Sequence, residues 1–199
     1  LGVFHGIRAC VRRAFDGDDL AGHSVLVQGV GAVGSHLAEL LHEAGCRLLL
    51  ADLHDSRVAQ IAERLGGEAI PAHHVLDADC DIFSPCATGG VLSAESIPLL
   101  RCRVVAGAAN NQLATPWDAD RLQGRGILYA PDYVINAGGV IHLAGYERLG
   151  WDESRMTARL AGIGETLTDL FERAEREGIT TAAAADRLAR ARIAAAGAR

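Results

Sequence analysis

The sequence predicts an α/β fold: a doubly wound, mostly parallel sheet with helices at the C-terminal end. Two observations support this fold class. Short apolar segments alternate along the chain with segments of helical periodicity. The apolar segments also lack the apolar/polar alternation of a half-exposed strand, as expected when both faces of a parallel sheet are covered by helices. With 199 residues and 49% hydrophobic content, the chain is long enough to bury one core.

The first half of the chain begins with a lead helix, because Val3, Ile7 and Cys10 recur at helical spacing over residues 2–14. The apolar run SVLVQG at 24–29 predicts the first strand, and Leu37 and Leu41 mark the apolar face of the helix that follows it. Gly45 is placed to end this helix. The run RLLLAD at 47–52 predicts the second strand.

The alternation continues beyond the second strand. A helix with Val58, Ile61 and Leu65 on one face is followed by predicted strands near 68–70, at CDIFSP (80–85) and at RVVAGAA (103–109), by a polar helix around 116–123, and by the apolar segment ILYAPDYVINAGG. From about residue 152 the pattern is helical only: Met156, Leu160 and Ile163 recur at intervals of three and four, and an alanine-rich helix follows EGITT. We expect these two helices to pack on the sheet domain.

Composition excludes several classes of protein. A formal charge of −6 and a pI near 5.7, with no basic stripe, argue against a nucleic-acid partner. No apolar stretch approaches the length of a membrane span, and the N-terminus lacks the order of a signal peptide, so we expect a cytoplasmic protein with no membrane partner. The five cysteines form no CxxC and are interpreted as reduced core residues, and no cluster has metal-ligand spacing. All nineteen basic residues are arginine.

A glycine-rich turn, GVGAVG at 29–34, joins the first strand to its helix. In this context GxGxxG indicates dinucleotide binding: Gly29 permits the turn, Gly31 lets the backbone approach a diphosphate, and Gly34 allows helix and strand to pack closely. The alternative is a turn that merely requires glycine. The prediction becomes a Rossmann-type domain over 1–199 that binds NAD(P), with a lead helix at 1–16, a sheet core at 22–145 and C-terminal helices at 152–197.

Asp52 ends the second strand, where a carboxylate can accept hydrogen bonds from the adenosine ribose. Its charge would repel a 2′-phosphate, so NAD is predicted over NADP. Arg57 is near enough in sequence to oppose this choice.

Three further segments follow apolar runs: SPCATGG (84–90), GAANNQ (107–112) and INAGGVI (135–141). Because ligands bind beyond the carboxyl ends of strands in such sheets, their uncharged amides suit a nicotinamide site. The alternative is that the asparagines only cap turns and helices.

These motifs together resemble the cofactor domain of the Glu/Leu/Phe/Val dehydrogenases. The resemblance rests on the glycine turn with Asp52, on VVAGAANNQLA, and on RGILYAPDYVINAGGVI, and it is greatest to the valine and leucine enzymes. It implies a C-terminal NAD-binding domain of an enzyme that converts a branched-chain or other apolar L-amino acid to the 2-oxo acid and ammonia. The full enzyme is then expected to be a homo-oligomer.

The resemblance also implies the site residues. The predicted cofactor-binding residues are Gly29, Val30, Gly31, Ala32, Val33, Gly34, Asp52, Leu53, Cys86, Ala87, Thr88, Ala108, Asn110 and Asn136. The predicted substrate-binding residues are Asn111, Val140 and Leu143, and no metal is expected. The catalytic lysine and aspartate of the family belong to a separate substrate domain, which we expect to be absent from this chain, since it contains no lysine. Taken alone, the chain is then expected to be inactive.

Two other functions compete with the dehydrogenase interpretation. A stand-alone, non-catalytic NAD-binding or NAD-sensing module would also explain a cofactor domain without lysine. A methyltransferase could use the same glycine turn, but nothing in that class explains the 130–141 segment.

Overall fold

The protein is described here by a computed structural model that covers residues 1–15 and 17–197. Asp16, included in the predicted lead helix, and residues 198–199, included in the predicted domain, lie outside the described residues. The strands are β1 (Ser24–Gln28), β2 (Arg47–Ala51), β3 (Glu68–Ala69), β4 (Ile82–Pro85), β5 (Val104–Val105) and β6 (Leu128–Tyr129). The α-helices are α1 (Gly2–Ala14), α2 (Ala32–Glu43), α3 (Asp55–Leu65), α4 (Asp118–Gly124), α5 (Asp132–Ile135), α6 (Gly138–Leu143), α7 (Glu153–Glu177) and α8 (Thr181–Gly197).

The six strands form one sheet in the order β3-β2-β1-β4-β5-β6, and each neighbouring pair is parallel. This is the strand order of a Rossmann fold, so the predicted fold class is confirmed. The order reverses between β1 and β4, and a crevice at this switch point is where such sheets bind ligands. The register pairs Gln28 with Ala51 and Pro85, so the strands on either side of the switch point end side by side.

Both faces of the sheet are covered, which explains why its strands are apolar throughout. On one face, α1, α2, α3 and α7 pack around residues such as Ile7, Leu41 and Leu167. On the other face, α4 and a short 3-10 turn at Ile97–Leu99 pack around Phe83 and Leu122. The C-terminal helices therefore contribute to the same core as the sheet.

Helix ends follow the local chemistry. Gly45 follows α2 with a φ of +80°, as predicted. Asp152 precedes α7 and its carboxylate accepts a hydrogen bond from the Arg155 N–H at 2.8 Å. Across the described residues, no helix is both long and apolar enough to cross a bilayer.

The structure corrects one prediction about a site segment. INAGGVI was expected to follow a strand, but β6 ends at Tyr129 and residues 132–135 form the short helix α5. Pro131 and Asp132 explain the difference, since a fixed φ and an acidic first-turn residue both favour a helix start. Asn136 therefore lies at the end of a helix. The predicted strand over 103–109 is also shorter, because only Val104 and Val105 pair within the sheet.

Candidate functional site

The glycine turn lies between β1 and α2, at the switch point of the sheet. Gly29 has a φ of +91°, which an L side chain rarely adopts. A Cβ on Gly34 would lie 1.9 Å from the Gly29 carbonyl oxygen, so the first turn of α2 folds tightly onto the end of β1. A Cβ on Gly31 would meet no atom of the described residues within 4 Å. The turn is thus tightly packed at Gly29 and Gly34, with open space above Gly31.

The N-terminus of α2 is uncapped. Gly31 occupies the N-cap position, and no side chain of residues 1–15 or 17–197 bonds to the first N–H groups of the helix. Free N–H groups and the helix dipole together favour an anion at such an end. The open space above Gly31 and the uncapped helix therefore fit a diphosphate.

Asp52 follows β2 and is fixed by main-chain groups. Its Oδ2 accepts the Val30 N–H at 2.9 Å, and its Oδ1 accepts the His54 N–H at 3.1 Å. Burial alone would raise the pKa of this carboxyl, but the N–H groups of His54 and Val30 and the charge of Arg57 outweigh it, and the pKa is lowered. Asp52 is consequently charged and attached directly to the glycine turn.

The loop after β4 lies against the glycine turn on one side. The Cys86 N–H donates to the Gln28 carbonyl oxygen at 2.7 Å, and a Cβ on Gly29 would lie 2.8 Å from the Cβ of Ala87. Burial raises the pKa of the Cys86 thiol, so Cys86 is no thiolate nucleophile at neutral pH. Ala87 and Thr88 are exposed at the crevice.

The same loop contacts the segment after β5 on its other side. A Cβ on Gly89 would lie 2.5 Å from the Asn110 carbonyl oxygen and 2.7 Å from that of Asn111. The Gly90 N–H donates to the Asn111 carbonyl oxygen at 2.7 Å. The loops that follow β1, β4 and β5 therefore form one contiguous surface.

Asn110 and Asn136 are hydrogen-bonded to each other. The Asn136 Nδ2 donates to the Asn110 Oδ1 at 2.6 Å and lies 3.4 Å from the Ala108 carbonyl oxygen. This joins the segment after β5 to the end of α5. The structure thus brings together Gly29, Cys86, Ala108, Asn110 and Asn136, directly or through shared neighbours.

The predicted substrate-binding residues Asn111 and Val140 do not line the same cavity. Val140 lies on α6 in a groove of about 870 Å³ bounded by α7 and α8. Asn110 and Asn111 line a different cavity, of about 1080 Å³, with Trp117, Asp132 and Tyr133. Leu143, Leu53 and Val33 are all more than half exposed.

Two polar residues near the site were not predicted. Asp132 accepts the Asn111 N–H through its Oδ2 at 2.5 Å. Gln112 is fully buried, and its Nε2 donates to the carbonyl oxygens of Gly107 and Ala109 at 3.0 and 2.9 Å. In the sequence, Asp132 directly follows Pro131, and this pattern predicts the start of a helix. It does not indicate that the Asp132 carboxylate contacts Asn111.

Comparison with known proteins identifies the family. Residues 47–199 match the family described as Glutamate/Leucine/Phenylalanine/Valine dehydrogenase. The chain belongs to this family. The resemblance stated from the motifs is therefore confirmed at family level.

Relatives in the Glutamate/Leucine/Phenylalanine/Valine dehydrogenase family align over almost the whole chain. The leucine dehydrogenase of Geobacillus stearothermophilus is 43% identical over 192 residues, which are 96% of this chain and 52% of that protein. The phenylalanine dehydrogenase of Thermoactinomyces intermedius is 43% identical over 97% of this chain and 53% of its own length. The crystal structure of L-tryptophan dehydrogenase from Nostoc punctiforme superposes with a TM-score of 0.93 at 41% identity, covering 96% of this chain and 58% of that one.

This member of the Glutamate/Leucine/Phenylalanine/Valine dehydrogenase family spans about half the length of the curated relatives it matches. Enzymes of this family depend on NAD(P). The open, uncapped turn at Gly31 and the charged Asp52 beside it fit the diphosphate and ribose of such a cofactor.

Proposed function

We propose that this chain is the C-terminal NAD-binding domain of an NAD-dependent amino-acid dehydrogenase, and that residues 1–199 form a single domain. The observation that carries the proposal is the hydrogen bond between the Asp52 carboxylate and the Val30 N–H at 2.9 Å. This bond joins a ribose acceptor to the turn that faces the diphosphate, so both parts of an adenosine diphosphate moiety meet one preformed surface.

The adenosine half of NAD is assigned to the turn at residues 29–34 and to Asp52 and Leu53. The free N–H groups of the first turn of α2, near Ala32 and Val33, are proposed to donate hydrogen bonds to the diphosphate. Asp52 favours NAD because a 2′-phosphate would place a second negative charge beside its carboxylate. Arg57 lies 3.6 Å from Asp52 and only partly offsets this repulsion.

The nicotinamide half is assigned to the loops that follow β4 and β5 and to the end of α5. Cys86, Ala87, Thr88 and Ala108 supply main chain and small side chains, and the Asn110–Asn136 pair supplies amide groups without adding charge. A nicotinamide held by these residues would supply the hydride acceptor for oxidation at the α-carbon of the substrate. The role of these residues is to orient the ring for that transfer.

The substrate is a branched-chain or other apolar L-amino acid of the valine or leucine type, which yields the 2-oxo acid and ammonia. Asn111 contacts its polar end, and Val140 and Leu143 form aliphatic walls beside its side chain. Both aliphatic residues are exposed here, at 72% and 55%. In this proposal a substrate domain covers them and supplies the catalytic lysine and aspartate, which is why this lysine-free chain binds cofactor without turnover.

The full enzyme is proposed to be a cytoplasmic homo-oligomer. The alternative is a stand-alone, non-catalytic NAD-binding or NAD-sensing module, with which the lack of lysine in this chain is also compatible. The gene sequence upstream of Leu1 separates the two. A glycine-rich, lysine-bearing domain encoded there supports the enzyme, whereas a start codon close to Leu1 supports the module.

The proposal is tested by titrating the chain with NADH and with NADPH and following nicotinamide fluorescence. We expect saturable binding of NADH that is at least about tenfold tighter than that of NADPH, a difference of about 1.4 kcal/mol. Tighter binding of NADPH would contradict the assignment of Asp52. If neither NADH nor NADPH binds, the proposed function itself is contradicted.

A further inference from the structure

The backbone of Asn111 adopts an unusual conformation next to the Asn110–Asn136 pair of the proposed nicotinamide site. Among the described residues, Asn111 is the one non-glycine residue with a positive φ, at +51°. Asparagine tolerates the left-handed region better than most residues, but this conformation still requires support from its surroundings. The neighbouring residue, Asn110, bears the amide that receives Asn136. The left-handed residue Asn111 therefore lies directly beside the Asn110–Asn136 pair.

Asp132, at the start of α5, supplies that support. Its Oδ2 accepts the Asn111 N–H at 2.5 Å, a short hydrogen bond to a carboxylate. Its own main-chain carbonyl oxygen accepts the Asn136 N–H at 2.9 Å. One residue thus contacts, through different atoms, the segment that carries Asn110 and the residue that binds Asn110.

The carboxylate of Asp132 is itself anchored. The hydroxyl of Tyr129, a residue only 3% exposed, lies 3.3 Å from Oδ1 and 3.3 Å from the Asp132 N–H. Burial, and then the charge of Asp132, raise the pKa of Tyr129, so the hydroxyl stays protonated and can donate. Both carboxylate oxygens are therefore engaged, one by Tyr129 at the end of β6 and the other by Asn111.

We propose that Asp132 is a positioning residue of the cofactor site: it fixes the left-handed backbone of Asn111 and so places the Asn110–Asn136 pair for the nicotinamide. This inference rests on the proposed function for its consequence in cofactor binding. Its structural part, the support of Asn111 by Asp132, does not depend on that function.

The test compares NADH affinity in Asp132→Ala, Asp132→Asn and Asn111→Gly and in the Asn111→Gly/Asp132→Ala double variant. We expect Asp132→Ala to weaken NADH binding about tenfold, the size expected for loss of one hydrogen bond to a charged group. Asp132→Asn keeps an acceptor and is expected to restore most of this affinity. Asp120→Ala is the matched control, because it removes an exposed carboxylate from the same cavity and should leave NADH binding unchanged.

The Asn111→Gly background tests whether Asp132 acts on NADH binding through the Asn111 backbone. A general effect of Asp132 on stability would not depend on the residue at 111. Glycine enters the left-handed region without support, so Asp132→Ala should cost about threefold or less when residue 111 is glycine. An equal loss in both backgrounds would overturn the inference, because Asp132 would then act by some route other than the Asn111 backbone.

Amide hydrogen exchange at Asn111 separates this inference from the proposed function. Exchange should be faster in Asp132→Ala than in the wild-type chain and in Asp132→Asn, whether or not NADH binds. If the wild-type chain fails to bind NADH, the proposed function fails and exchange alone decides the role of Asp132. Unchanged exchange in Asp132→Ala would refute that role.

Discussion

The Asp52 side chain is preorganised for the ribose contact that we propose for it. Two main-chain N–H groups fix the rotamer of Asp52, because each donates to a different carboxylate oxygen. Its side chain is 12% exposed. A charged, directed acceptor with free lone pairs is what a ribose diol requires.

Asp52→Asn is expected to weaken NADH binding about tenfold and to narrow the preference for NADH over NADPH. The amide keeps the shape of the side chain but loses the charge that repels a 2′-phosphate. Titration with both nucleotides measures the two effects together. Asp77→Asn, at an exposed carboxylate that bonds only to His74 among the described residues, is the control and should change neither. An unaltered preference in Asp52→Asn would remove Asp52 from the ribose site.

Gly31→Ala and Gly34→Ala should separate binding from folding. A Cβ at residue 31 meets nothing within 4 Å, so stability should change by less than about 0.5 kcal/mol, while the methyl group takes diphosphate space and weakens NADH binding about tenfold. A Cβ at residue 34 overlaps the Gly29 carbonyl oxygen, so this variant should lose about 1 to 3 kcal/mol of stability. Urea denaturation and NADH titration measure both. If Gly31→Ala binds NADH as tightly as the wild-type chain, the placement of the diphosphate above Gly31 is contradicted.

At the scale of elements, the sequence predicted the helices better than the strands. The lead helix and the C-terminal pair were located because apolar residues such as Ile7 and Ile163 recur over several turns. The apolar run at 103–109 continues beyond the paired residues Val104 and Val105, since burial against helices selects apolar residues in loops as well. Apolar content alone therefore cannot mark the end of a strand. The helix at 132–135 was missed because it spans only four residues, too short for a periodic pattern.

Two helical glycines, Gly6 in α1 and Gly162 in α7, differ in how closely they are packed, and this predicts opposite outcomes for their changes to alanine. A Cβ on Gly6 would lie 2.4 Å from the Ile135 side chain, so Gly6→Ala should lower the free energy of unfolding by about 1 to 3 kcal/mol. A Cβ on Gly162, in α7, meets nothing within 4 Å, so Gly162→Ala should raise it by about 0.5 to 1 kcal/mol. Urea denaturation measures both variants. The packing is wrongly described if Gly6→Ala is neutral.

The amino ends of β1 and β4 should make stability depend on acid. The Asp81 carboxylate accepts the N–H and the hydroxyl of Ser24, each at 2.8 Å. Burial would raise the pKa of Asp81, but these bonds and the nearby His23 outweigh it, and the pKa falls below its ordinary 3.8. A lowered folded-state pKa gives stability that is present above about pH 4 and is lost as the pH falls through the folded-state value.

Asp81→Asn should therefore reduce the loss of stability on acidification. The amide cannot be protonated in this range, so the difference between variant and wild type should be largest near neutral pH and should shrink below the ordinary pKa. Urea midpoints measured between neutral pH and about pH 3 test this. The dependence should weaken and not vanish, because the pKa of Asp52 is lowered too. Parallel curves for the two proteins would contradict the role of Asp81.

At the scale of the whole molecule, the sheet explains which parts of the site could be predicted. Gly29, Asp52 and Asn110 each follow a strand, and parallel strands place their carboxyl ends along one edge. A common site was therefore predictable from strand order alone. The bonds between loops were not: the contact of Gly89 with Asn110, and of Asp132 with Asn111, depend on tertiary positions that no local pattern encodes.

The substrate side of the molecule is the part that the chain itself leaves open. Val140 and Asn111 line separate cavities, although the resemblance assigns both to one substrate. The chain spans about half of its relatives' length, and the proposal places a second domain over α6 to complete this pocket. In the proposal, the described residues bind the cofactor and the second domain completes the substrate site.

The central claim is that the turn at residues 29–34 and Asp52 together bind the adenosine diphosphate of NAD. A crystal structure of the chain with NAD⁺ tests it most directly. We predict the diphosphate against the first N–H groups of α2, above Gly31, and the adenosine ribose hydroxyls on the Asp52 carboxylate. A saturating soak that leaves this turn empty, or that places the nucleotide elsewhere on the protein, would contradict the claim.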